Sequence, residues 1–104
     1  LPGGEQLEQW DKLSKWPRAP GWAPDEATLL ARAGAVLDRA LEAGPDGRVL
    51  IVSSNGVLRF FARHATNASE WPKLKVATGG ACRMRHGPGG WAVERWNVAP
   101  EDFA

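Results

Sequence analysis

Residues 48–61, RVLIVSSNGVLRFF, hold the arrangement in this sequence best suited to anion chemistry. Ser53, Ser54, Asn55 and Gly56 separate an apolar run from an amphipathic segment. If the run is a strand and the segment a helix, the N–H groups of the turn and the positive end of the helix dipole point at whatever occupies the crevice there. In open α/β sheets the crevice beyond the carboxyl ends of the strands is the usual ligand site, and a phosphate would fit it. Arg59, in the first turn after Gly56, is placed either to reach back to an anion or to pair with an acid. The same residues also have a structural use, because Ser and Asn cap helices and form turns. Both readings stand at this level.

Other candidates carry less chemistry. Arg85-His86-Gly87 lies between ACRM and PGGW, at the mouth of a hairpin, where a histidine is expected to serve a turn. His64 falls on a helix, exposed or packed against its end. No Cys or carboxylate stands at ligand spacing from these histidines, so neither a metal nor another cofactor is expected. Ser53 and Ser54 lack the Gly-x-Ser-x-Gly elbow of a serine nucleophile. Asp11, Asp25, Glu26 and Asp38 sit on helical faces or starts, where solvation and capping explain them. No catalytic residue is assigned.

The elements that must position the turn are readable around it. GGEQLEQWDKLSKW spaces Leu7, Trp10, Leu13 and Trp16 by three, as in a helix of about three turns with one apolar face. PRAPGWAP interrupts it as a connector. DEATLLARAGAVLDRALEAG then repeats Leu29, Leu30, Ala33, Val36, Leu37, Ala40 and Leu41 at helical spacing, with Asp25 and Glu26 at its start and Gly44-Pro45 at its end. The GPDG turn leads into RVLIVS, which reads as a central strand covered on both faces. GVLRFFARHA follows as a second strand-packed helix with Val57, Leu58, Phe61 and Ala62 on its stripe and Arg59, Arg63 and His64 away from it. KLKVATGGACRMRH, GPGG and WAVERWN read as strand, hairpin turn and strand, with Phe103 a candidate to dock near the end.

Length and composition bound what this unit can be. At 104 residues, 43% apolar and 24% charged, the chain is one soluble globular unit, 1–104, with one core. A net charge of +1 with interspersed signs offers no stripe for a phosphate backbone, so no nucleic-acid partner is expected. The longest aliphatic run, Val49–Val52, is far too short to span a bilayer, and no membrane partner is expected. The single cysteine, Cys82, suits a reducing cytoplasm, the expected location. Six Trp and no Tyr fit core packing and surface clefts equally well. A start at Leu1 is what a processed protein, a proteolytic product or the later portion of a longer chain would show.

VLIVSSNGVLRFF resembles the late strand, turn and helix of the histidine phosphatase superfamily, the phosphoglycerate mutase-like proteins, whose usual form there is Val-Ser-His-Gly-Gly-Val-Ile-Arg. Aligned without a gap, Val52, Ser53, Gly56, Val57 and Arg59 are identical and Leu58 is conservative, while Ser54 and Asn55 stand where the family has His-Gly. The helix carrying Arg32 and Leu37 resembles the family's helix before that strand. GGACRMRHGPGGWAVERWN resembles its final hairpin, which commonly ends in Trp-Asn. APGWAPDE together with the Ser-Asn-Gly turn is similar to a bacterial branch that has such a turn in place of His-Gly-Gly.

The resemblance implies an incomplete phosphoglycerate mutase-like α/β fold, with helices on a mostly parallel sheet and a C-terminal antiparallel hairpin, corresponding to the later half of a family member. It implies phosphomonoester hydrolysis through a phosphohistidine in the intact protein, provided that an Arg-His-Gly lies upstream, with this chain contributing a phosphate-binding turn of Ser53, Ser54, Asn55, Gly56 and Arg59. The chain alone is expected to be inactive, because the family's nucleophilic histidine and acid would lie upstream of it; Ser54, which cannot supply the imidazolium charge of the family's second histidine, lowers the efficiency expected even of the intact protein. Expected partners are a phosphate-containing small molecule or phosphoprotein, and a missing N-terminal half or a homodimer partner covering an unpaired sheet edge. The rival readings are a non-catalytic phosphate-binding or scaffolding module of the same fold, and an unrelated small α/β domain whose capped helix imitates the turn.

Overall fold

A computed structural model describes residues 3–18, 24–44 and 47–103. Most of the proline-rich connector and Pro45-Asp46 of the expected GPDG turn lie outside the described residues. Helix α1 spans Gly4–Leu13 and stops at Ser14, whose left-handed φ of 56° ends the helical hydrogen bonding. Its apolar stripe is used unevenly. Leu7 and Leu13 remain exposed, while Trp10 and the following Trp16 pack into the core around Phe60. The Trp10 and Trp16 rings meet edge to face with centroids 5.0 Å apart.

Helix α2, Glu26–Leu41, begins where the sequence places its cap: the Asp25 carboxylate accepts the Thr28 N–H at 2.8 Å. That hydrogen bond holds the Asp25 carboxyl below the usual carboxylate range. Ala33 and Leu37 are buried, and Leu29 and Leu30 pack partly against them, whereas Val36 and Leu41 stay exposed, so the buried stripe is narrower than the periodicity predicts. Helix α3, Asn55–Ala62, packs on α2. It is buried on more than one side. Phe60 and Phe61 enter the cluster with Ala33 and Leu37, while Ala62 enters a second cluster with Ala65, Val76, Val93 and Trp96. Arg59, expected away from the stripe, is therefore buried too.

The expected C-terminal hairpin is present. Strand β1, Ala81–Gly87, pairs antiparallel with β2, Gly90–Val98, across the Pro88-Gly89 turn. The first strand is shorter than the sequence suggests, because Gly79 takes a φ of +79° and the chain turns before Ala81. Asn97, with φ 56°, lies opposite a register shift between Ala81 and Arg83. The tail docks as anticipated: Phe103 lies under the guanidinium groups of Arg83 and Arg95 at 5.6 and 5.7 Å.

The expected mostly parallel sheet is not seen among the described residues. Among those residues the sheet consists of β1 and β2, both antiparallel, and parallel pairing is limited to an isolated bridge between Ala65 and Trp91. The RVLIVS segment forms no strand, and Ile51 alone of it is partly buried, against the cluster around Phe60. Residues 48–53 have no ladder partner, and Leu50 and Val52 are 89% and 87% exposed. The physical reason is that a strand is completed by neighbours, and β-branched composition alone cannot supply the facing N–H and C=O groups.

The connector between α3 and β1 is held by side chains. Asn67 exchanges two hydrogen bonds with Val93, accepting its N–H at 2.8 Å and donating to its carbonyl at 3.0 Å. The Trp96 indole donates to Leu74 O at 2.8 Å, and Asn97 Oδ1 accepts the Ala77 N–H at 2.8 Å. The same connector reaches the start of α3 through the Val76 N–H, which donates to Asn55 Oδ1.

Candidate functional site

The Ser53–Gly56 turn forms the start of α3. Ser54 is its N-cap, in extended geometry, with Oγ accepting the Val57 N–H at 3.3 Å and its carbonyl accepting the Leu58 N–H at 3.0 Å. The capping use expected of Ser54 is thus realised, and the Ser53 and Ser54 residues stay exposed. The N–H groups of the first helical residues, Asn55 and Gly56, have no intrahelical acceptor. Together with the Ser53 hydroxyl they can donate to an anion, aided by the helix dipole.

Asn55 and Arg59 are held in a network that the sequence did not announce. Asn55 Oδ1 accepts from Val76 N at 2.7 Å and from Arg59 Nε at 3.2 Å, tying the helix start to the connector. Arg59, 1% exposed, sends Nη1 to the carbonyl oxygens of Trp10 and Asp11 and to Ser14 Oγ. Its guanidinium lies 4.3 Å from the Trp10 ring centroid. The two sequence readings of Arg59, an anion or an acid, are joined by a third: it caps the C-terminus of α1, where the helix dipole favours a cation. Burial pushes the Arg59 pKa down, and the charge of Asp11 opposes that shift. Asp11 is itself paired with Lys75 at 2.7 Å, and the Lys75 hydrogen bond lowers its carboxyl pKa.

Trp10 also bears on the turn. A Cβ added at Gly56 would meet Trp10 Cζ2 at 3.5 Å, so the indole flanks the start of α3. No local sequence signal connects Trp10 to a residue so distant in the chain. The structure thus brings Asn55, Gly56 and Arg59 together around Trp10, with Ser53 and Ser54 on the solvent side.

The remaining candidates separate from the turn. His64 Nε2 lies 2.7 Å from Leu30 O and its ring packs against Gly34, so it belongs to the α2–α3 contact. His86 lies at the end of β1 with its ring edge to face with Trp91 at 5.1 Å, which places the Arg85-His86-Gly87 triplet in the hairpin. Cys82 accepts a hydrogen bond from Asn97 N at 3.4 Å, and burial raises its thiol pKa. Among the described residues no group of His, Cys, Asp and Glu side chains could hold a metal ion, and no helix is long and apolar enough to cross a membrane.

No curated protein and no solved structure matches the chain. The family model described as the histidine phosphatase superfamily, branch 1, matches residues 3–99. That span includes α1, the α3 turn and the whole hairpin, so the chain belongs to the histidine phosphatase superfamily.

Proposed function

We propose that the chain is the C-terminal part of a histidine phosphatase-like protein and contributes its phosphate-binding turn. The observation that carries this reading is the start of α3, where the exposed Ser53-Ser54 pair precedes a capped helix inside a chain of this family. Ser53 and Ser54 offer hydroxyl donors, and Asn55 and Gly56 offer N–H groups. Arg59 adds positive potential from behind the turn while its Nη1 holds α1.

In the intact protein the reaction is phosphomonoester hydrolysis through a phosphohistidine, on a phosphate-containing small molecule or a phosphoprotein in the cytoplasm. The nucleophile comes from polypeptide outside residues 1–104, which also completes a mostly parallel sheet. A homodimer partner is the other candidate for that completion. A non-catalytic phosphate-binding or scaffolding module of the same fold is the second reading. It is favoured by Ser54, a neutral residue where the family carries a histidine.

Inorganic phosphate titrated into the chain tests the turn. A ligand at tenfold excess over its Kd stabilises a fold by about 1.4 kcal/mol, so thermal unfolding should move up with phosphate. Ser54→Ala should lower the starting stability through loss of the cap and also flatten the phosphate dependence. A phosphate dependence unchanged in Ser54→Ala, or absent from the unaltered chain, overturns the binding claim. Hydrolysis of an aryl phosphate by the intact parent protein decides between the catalytic and non-catalytic readings.

A further inference from the structure

Apart from the open groove beside Leu58 and Met84, which belongs to the incomplete sheet, a cleft of about 500 Å³ opens where residues 71–77 pass the end of β2. That volume falls within the roughly 300–1,000 Å³ of small-ligand sites. Trp71, Pro72 and Trp96 give the cleft its apolar lining, and Lys73, Lys75 and Asn97 its polar one. The two indoles are used differently from the other rings. Trp10, Trp16 and Trp91 each pack on a neighbouring aromatic ring, whereas among the described residues Trp71 and Trp96 make no ring-on-ring contact. Trp71 is only half-buried. The backbone of this wall is already committed: the Val76 N–H donates to Asn55 Oδ1, the Ala77 N–H donates to Asn97 Oδ1, and the Leu74 carbonyl accepts the Trp96 indole N–H. A peptide strand laid along it would find no continuous row of free N–H and C=O groups, so the cleft must read its occupant through side chains.

Charge narrows the occupant further. Among the described residues no carboxylate lines the cleft. Lys75 is partly neutralised by Asp11 at 2.7 Å, while Lys73 has no ion-pair partner among the described residues. Asn97 spends its Oδ1 on the Ala77 N–H at 2.8 Å, which leaves Nδ2 as a donor with no acceptor among the described residues. An inorganic anion would leave the indole and proline surfaces in water, and a neutral ring would leave the ammonium of Lys73 unanswered. A flat ring bearing a carboxylate meets both demands, by offset stacking on an indole and by charge-assisted hydrogen bonds. We infer that the cleft formed by Trp71, Pro72 and Trp96 binds a small aromatic carboxylate, with its ring against the indoles and its anionic group on Lys73 and Asn97. The cleft shares no lining residue with the Ser53–Gly56 turn, so the inference is independent of phosphate binding there.

The test titrates cinnamate into the full 104-residue chain, isotope-labelled for NMR. The indole N–H signals of Trp71 and Trp96 and the side-chain amide of Asn97 should shift together, with half-saturation on the order of 1 mM, as expected for a ligand of this size. Cinnamamide, which keeps the ring without the charge, and acetate, which keeps the charge without the ring, should each bind about tenfold more weakly or worse. Lys73 is exposed, so Lys73→Glu should preserve the fold and weaken cinnamate by about tenfold or more, whereas Lys73→Arg should retain binding. Inorganic phosphate should leave the cinnamate titration unchanged, which separates failure of the cleft from failure of the turn. Four results overturn the inference: no movement of the Trp71 and Trp96 signals, an equal response to cinnamamide, an unaltered titration in Lys73→Glu, or competition by phosphate with shifts confined to residues 53–56.

Discussion

A guanidinium buried to 1% exposure must place its N–H groups on acceptors or carry a large desolvation penalty. Arg59 does so on the carbonyls of Trp10 and Asp11, on Ser14 Oγ and on Asn55 Oδ1, and it stacks on the Trp10 ring. A lysine there would keep the charge but lose the planar fork, leaving some of those acceptors unpaired. Arg59→Lys is therefore expected to destabilise the chain by about 2 kcal/mol, seen as a lower denaturant midpoint. Exchange should quicken first in Gly4–Leu13, the helix whose end Arg59 caps. An unchanged midpoint would show that α1 is held by Trp10 and Trp16 packing alone. The amphipathic pattern of GVLRFF identifies α3 but places Arg59 on the wrong side of it. A helical wheel records one buried face, and α3 has neighbours on more than one.

The α2–α3 contact illustrates a glycine whose role is tertiary. Gly34 lies inside α2, where glycine is destabilising by roughly 0.5–1 kcal/mol relative to alanine, so helix propensity alone favours replacing it. The His64 ring decides otherwise. A Cβ at Gly34 would come within 2.8 Å of His64 Cε1, and the ring is positioned by its 2.7 Å contact with Leu30 O. Gly34→Ala is expected to lower stability by about 1–2 kcal/mol, since overpacking outweighs the propensity gain. A rise in melting temperature would refute this. Local signals made several elements legible: Asp25 before a 3.6-residue repeat, Gly-Pro-Gly-Gly between alternating segments, and Ser54 before an amphipathic run. The unpaired state of 48–53 was not legible, because strand formation depends on a neighbour that residues 48–53 themselves do not encode. The hydrogen bonds of Asn55, Asn67 and Asn97 to Val76, Val93 and Ala77 were equally hidden. Each joins residues about 20 or more positions apart, a distance over which sequence periodicity carries no information.

At the scale of the molecule, two core clusters meet through few residues. Ala33, Leu37, Phe60 and Phe61 build one, and Ala62, Ala65, Val76, Val93 and Trp96 build the other. Leu58 and Met84 pack partly against both. The Cα radius of gyration, 14.4 Å, is larger than the roughly 13 Å of a compact domain of this length, in keeping with the open groove beside those two side chains. Cooperativity between the helical pair and the hairpin should then depend on Leu58 more than its partial burial suggests. Leu58→Ala is expected to cost about 2 kcal/mol and to separate the two units in hydrogen exchange. Amides of Gly90–Val98 and of Glu26–Leu41 should reach their limiting protection at different denaturant concentrations in the variant and together in the unaltered chain. Coincident exchange in Leu58→Ala would mean that the α3–hairpin connector, pinned by Asn67 to Val93, carries the coupling instead.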